Sequence, residues 1–231
     1  MRALRARLAL AARGERGLTL PELLVTMFLL SMITALMVGT ISGFSQAFTR
    51  DRSASDSTMV ANTAMRELTR VVRSGTELRL SGGGSSNAPV FIDARPNALT
   101  MYAFVDASAA APRPIRVRFE IDAQRRLIET RWAVTNAASP WTFAAMSSPY
   151  SSRPVARFIP TTAGPLFEYL NKDGVPLVMP ASGTLTAAQI KDVAAVRVTV
   201  TVQGDMTGRA EPVTVQNAVG IPNLGISRVR P

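Results

Sequence analysis

From Leu23 to Thr49 the chain runs for 27 residues without a charged side chain, and Leu18 to Val38 is rich in Leu, Met, Val, Ile and Phe. A helix rises about 1.5 Å per residue, so roughly 20 such residues cross the ~30 Å hydrocarbon core of a bilayer. The run therefore predicts a membrane-spanning helix. Its head, "RGLTLPELLVTMFLLSMITALMVG" from Arg16 to Gly39, carries a helix breaker, Pro21, and an acid, Glu22. An acid inside a span costs about 2.5–3.5 kcal/mol on insertion scales. Three readings compete. A cleaved secretory signal has an apolar region of only about 7–15 residues ending in a small-x-small site, and this run is longer. An ordinary signal anchor explains the length but not Glu22. A leader cut between Gly17 and Leu18, before the apolar run, creates an α-amino group four residues from Glu22. That amine is a charge partner for the carboxylate in a low-dielectric setting.

Gly17-Leu18-Thr19-Leu20-Pro21-Glu22-Leu23-Leu24-Val25, behind a basic leader with Arg2, Arg5, Arg7, Arg13 and Arg16, resembles the class III signal of type IV pilins and type II secretion pseudopilins. The resemblance implies that a prepilin peptidase cuts the Gly17–Leu18 bond and methylates Leu18, and that the apolar helix stays in the mature protein. It also implies that Glu22 sets subunit register during assembly. The family more often begins with Phe where this chain has Leu18; the spacing is unchanged. Pro21 fits the same scheme, because its ring clashes with the carbonyl four residues back, that of Gly17. Before cleavage it keeps the scissile region out of a regular helix. Afterwards it is the fourth residue, in a first turn whose amides lack partners in any case.

The basic leader stays cytoplasmic by the positive-inside tendency. The expected location is thus the bacterial cytoplasmic membrane, single-pass, with the domain outside the cytoplasm, and then a pilus or pseudopilus. After Gly43 the sequence turns polar. Ala54, Ala61, Met65, Leu68 and Val72 fall on one helical stripe, predicting that the helix continues to about Arg73 and stops near Gly75. Met65 reads as a core residue, and Met59 lies off the stripe. The expected organisation is a basic leader over 1–17, a transmembrane and assembly helix over 18–43, its amphipathic continuation over 44–74, and a globular β-rich domain over 75–231.

"SGGGSSNAP" reads as a loop without the Lys-Ser/Thr ending of a phosphate-binding loop. Beyond it, "PVFID", "ALTMYAFV", "IRVRFEID", "RLIETRWAV", "VARFI", "LFEYL" and "VAAVRVTVTVQ" are strand-length runs predicting an antiparallel sheet. "DAQR" joins Ile115–Ile121 to Arg126–Val134 as a hairpin, "NKDG" is a turn, and "TAAQIKD" is a short helix. The fold class expected is α+β: a long N-terminal helix on an antiparallel sheet, the pilin-like layout. "LFEYLNKDG", a short helix and "VAAVRVTVTV" resemble in their order the larger minor pilins and pseudopilins of the PilW and J types. The absence of cysteine departs from many major pilins, whose C-terminal loop is closed by a disulfide, and this favours a minor subunit.

With no cysteine and no histidine, disulfides, thiol nucleophiles, Cys/His zinc sites and Ser/His/Asp arrangements are excluded. Asp93, Asp106, Asp122, Asp173, Asp192 and Asp205 lack EF-hand spacing, and Asp173 before Gly174 is a turn residue. No cofactor, metal or catalytic pair is nominated, and the chain reads as a structural subunit rather than an enzyme. Its expected partners are a prepilin peptidase, other pilin or pseudopilin subunits through the helix, and the membrane. Besides an anchored enzyme, which the lack of obvious catalytic groups disfavours, the net charge of +10 supports a second rival. Arg113, Arg116, Arg118, Arg125, Arg126 and Arg131 make the middle of the sheet basic, and Arg116 and Arg118 alternate with Ile115, Val117 and Phe119. The bland interpretation is a solvated face that resists edge aggregation. The sharper one is a membrane-anchored module touching DNA nonspecifically through Arg116 and Arg118, with salt-sensitive binding and few aromatics for stacking.

Overall fold

A computed structural model describes residues 19–106, 111–204 and 211–224. The chain divides after Thr49 into two compact units, and helix α1, Leu20–Arg73, crosses that division.

In the first unit every described side chain is exposed. α1 is the one helix among the described residues long and apolar enough to cross a membrane. Its hydroxyl groups are returned to the helix backbone. Thr26 donates to the Leu23 carbonyl at 2.8 Å, Ser31 to Phe28 at 2.7 Å, Thr34 to Leu30 at 2.8 Å and Thr40 to Leu36 at 2.8 Å. These donors need no water, which suits a helix in hydrocarbon, where each polar group must be satisfied internally.

In the second unit α1 buries Ser57, Ala61, Ala64, Met65, Leu68, Val71 and Val72. The predicted stripe holds from Ala61 to Val72, while Ala54 is exposed and Ser57 takes the buried position instead. Ser57 is accommodated because its hydroxyl donates to the Ser53 carbonyl at 2.7 Å. This stretch packs closely on the chain at Gly204: a Cβ there would lie 1.8 Å from the Ser53 hydroxyl oxygen and 3.0 Å from its Cβ, so the bare glycine leaves room for the serine. The helix ends at Arg73 as expected. Gly75 serves close packing, since a Cβ there would fall 2.6 Å from Met101 Cε and 2.9 Å from Val90 Cγ1.

Strands β1 (Phe91–Ala94), β2 (Ala98–Ala103), β3 (Ile115–Ile121), β4 (Leu127–Ala133) and β5 (Ser151–Ala156) form an antiparallel meander in chain order. β6 (Phe167–Leu170), β7 (Ala195–Val202) and β8 (Val213–Gly220) form a second antiparallel sheet, with helix α2 (Ala187–Asp192) between β6 and β7. The architecture is α+β, with two sheets where the strand patterns pointed to one. The break follows β5, where Phe158 adopts φ 59° and Pro160 removes a donor. β5 also begins earlier than "VARFI" suggested, and β8 is a strand the alternation did not reveal.

The β3–β4 hairpin turns at "DAQR", where Arg125 takes φ 57° and the Asp122 carboxylate accepts from the Arg126 amide at 2.7 Å. Asn171 closes the "NKDG" turn by accepting from the amides of Asp173 and Val175, both at 2.9 Å, with Gly174 at φ 75°. α2 starts in a capping box: Thr186 accepts from the Gln189 amide while the Gln189 side chain accepts from the Thr186 amide. The two sheets meet through β1 and β6, where Phe91 and Tyr169 rings sit edge to face at 6.1 Å and Tyr169 donates to the Arg95 carbonyl at 2.8 Å. Burial pushes the Tyr169 hydroxyl well above its ordinary value. One core joins Leu68 and Val72 of α1, Met101 and Phe119 of the first sheet, and Val196 and Val198 of the second.

Candidate functional site

Of the residues expected at the head of the helix, Gly17 and Leu18 lie outside the described residues. α1 opens at Leu20, so Pro21 and Glu22 stand in its first turn, both exposed. The Leu23 amide donates to the Thr19 carbonyl at 3.1 Å. Pro21 occupies a turn whose amides have no intrahelical partner, so its missing N–H costs the helix little. The positive end of the helix dipole favours the Glu22 carboxylate there. Below this turn Leu23, Leu24, Met27, Phe28, Leu30 and Leu36 stand bare. An anionic head on an apolar rod can enter a bilayer and pack with similar rods, provided a cation meets the carboxylate.

Arg116 and Arg118 share one face of β3, alternating with buried Val117 and Phe119. Each has partners within the fold. The Arg116 guanidinium donates to the Ala144 carbonyl at 2.6 Å and lies 5.0 Å from the Trp132 ring and 5.6 Å from Phe143. Trp132 in turn donates to the Met146 carbonyl at 3.1 Å, and Phe143 stacks on Tyr102 at 5.0 Å. The stretch from Phe143 to Met146 thus straps the outer face of the sheet, and Arg116 is its cationic rivet. Burial lowers the Arg116 pKa and raises that of Tyr102. Arg118 pairs with Glu120. The Nε atoms of both arginines are buried and have no hydrogen-bond partner among the described residues.

A polar cluster that the sequence reading missed ties α1 to the first sheet. Glu129 is fully buried on β4. Arg131 donates to its Oε1 from Nε at 2.9 Å and from the terminal nitrogen at 2.7 Å, while Arg153 Nε donates to Oε2 at 2.7 Å. The same two arginines reach Glu67 of α1, at 2.7 and 2.8 Å, and Arg70 completes the group at 2.6 Å. Burial raises the Glu67 pKa, but the Arg70 hydrogen bond and the charges of Arg70, Arg153 and Arg131 outweigh it and hold the carboxyl below its ordinary value. Arg131 is raised in spite of burial, chiefly by its hydrogen bond to Glu129. With both carboxylates saturated by guanidinium groups, the cluster is a fastener. An acid at an inward position of β4, between Leu127 and Arg131, was the available signal. Asp173, by contrast, follows Asn171 in the turn closed above.

Comparison of the chain with protein-family models and with curated proteins gives no match.

Proposed function

We propose that this protein is a structural subunit of the minor pilin or pseudopilin kind, trimmed at Gly17–Leu18 by a prepilin peptidase, methylated on Leu18, and assembled through α1 into a type IV pilus or secretion pseudopilus. The observation that carries the reading is the contrast along α1: an exposed acid in the first turn, then bare apolar side chains as far as Phe48. Hydrophobicity alone accounts for membrane residence. The acid demands more, because an unpaired charge among packed apolar helices costs several kcal/mol. A subunit N-terminal amine, its own or a neighbour's, supplies the missing cation and makes register a matter of electrostatics.

The reading is supported by the "GLTLPELLV" signal, by the hydroxyls folded back onto the helix at Thr26, Ser31, Thr34 and Thr40, and by the α+β unit that follows. Glu22→Ala tests it. The variant should enter the membrane and be cleaved like the parent, yet cross-link into multimers poorly. Multimers at the parent's level would overturn the role given to Glu22.

A further inference from the structure

β8 is an edge strand: β7 covers one side, and no described strand pairs with the other. Its hydrogen-bond phase follows from its neighbours. The Ile221 amide donates to the Ala194 carbonyl, and Thr199 of β7 donates away from β8, to Leu166. With Ala195 opposite Gly220 and Arg197 opposite Ala218, antiparallel alternation turns the amides of Val215, Asn217 and Val219 toward β7. The amides of Thr214, Gln216, Ala218 and Gly220 then point to the open side.

On its inner face β8 carries Asn217, whose side-chain Nδ2 donates to the Thr69 hydroxyl of α1 at 3.4 Å. Beside this contact runs a groove lined by Met65, Arg66, Thr69, Arg70, Arg73 and Asn217. Arg66, Arg70 and Arg73 recur at helical spacing and are exposed. Arg70 shares its charge with Glu67, while Arg66 and Arg73 have no ion pair among the described residues. Among the described residues, no acid lines the groove.

We propose that the open edge of β8 and the arginine face of α1 form a docking site for an extended acidic segment of a partner protein, added as a further strand. Its backbone would pair with Thr214, Gln216, Ala218 and Gly220. Alternate side chains of such a strand fall on one face, so every second carboxylate would overhang Arg66, Arg70 and Arg73. A second copy of this chain is a poor occupant: it carries a net charge of +10 and has no run of acidic residues. Duplex DNA is also disfavoured, since it has no backbone amides to satisfy a strand edge. The site lies within the second unit and does not depend on how α1 assembles.

The test uses the full chain in detergent and a fluorescein-labelled peptide alternating glutamate and valine, read by anisotropy. The glutamate peptide should bind, more weakly as salt rises, and a lysine–valine counterpart should not. Arg66→Glu combined with Arg73→Glu should weaken binding about tenfold or more. Ala218→Pro removes one outward amide at a place where an edge strand tolerates proline, and should weaken binding comparably. Peptides methylated on alternate backbone nitrogens leave the protein untouched: methylation in the frame facing β8 should abolish binding, and methylation in the other frame should preserve it. Equal loss in both frames would overturn the proposal. So would no binding, tighter binding of duplex DNA at the same arginines, or self-association of the chain that excludes the peptide.

Discussion

The two halves of α1 solve opposite problems with the same backbone. Between Leu20 and Thr49 apolar side chains face outward on every side, and the hydroxyls among them fold back onto helix carbonyls. Between Ser57 and Val72 one face is buried beyond reach of solvent, and charged groups such as Glu67 find partners on neighbouring strands. A helix that is apolar all round belongs in a medium as apolar as itself, while one with a single buried stripe belongs on a protein core. Secondary structure is thus the same in both halves, and the side chains alone decide what each half is for.

The sharpest way to break the contrast is to remove the buried β4 acid that holds the two arginines gripping Glu67 of the packed half. Glu129→Ala leaves Arg131 and Arg153 without their buried partner and should cost about 3–5 kcal/mol in denaturant unfolding of the detergent-solubilised chain. Leu68→Ala, at a fully buried position of α1, should cost about 2–5 kcal/mol. Its counterpart Leu29→Ala, on the bare half, should leave the same transition within about 0.5 kcal/mol. Equal effects of the two leucines would mean the halves are not distinct.

Acid provides a graded test. Because the folded-state pKa of Glu67 is depressed, its contribution is fully present above the ordinary carboxyl value of 4.5 and is lost as pH falls through the lower folded value. Glu67→Gln should therefore flatten the decline in stability below that pH, and an unchanged acid limb would place the sensitivity elsewhere. Thr186→Ala, which removes the cap of α2, should lower stability by about 1 kcal/mol, less than either Glu129→Ala or Leu68→Ala.

Much of the contrast was legible in the sequence because it depends on local pattern. The apolar run needs no partner to be recognised. Ile115–Ile121 emerged as a strand at its predicted bounds because alternation and the "DAQR" turn agree, and α2 lies within "TAAQIKD", where a short helix was expected, its start fixed by a capping box that the structure shows. Alanine was the weak signal: it is at home buried or exposed, so Ala54 joined a stripe to which Ser57 belongs. β8 escaped notice because, as an edge strand, it buries only Val219 fully and carries Asn217 on its inner row. The partition into two sheets and the Glu67 cluster were beyond local reading. The cluster joins residues 64 and 86 positions apart, a pairing that periodicity does not register.

At the head of the helix, Pro21 and Glu22 fall in a turn that tolerates the one and favours the other. Whether that turn follows a cut at Gly17 is open to direct measurement by intact mass of the protein extracted from its native membrane. The account predicts loss of residues 1–17 and the mass of one added methyl group on Leu18. A full-length, unmethylated chain would contradict it and leave α1 an ordinary anchor.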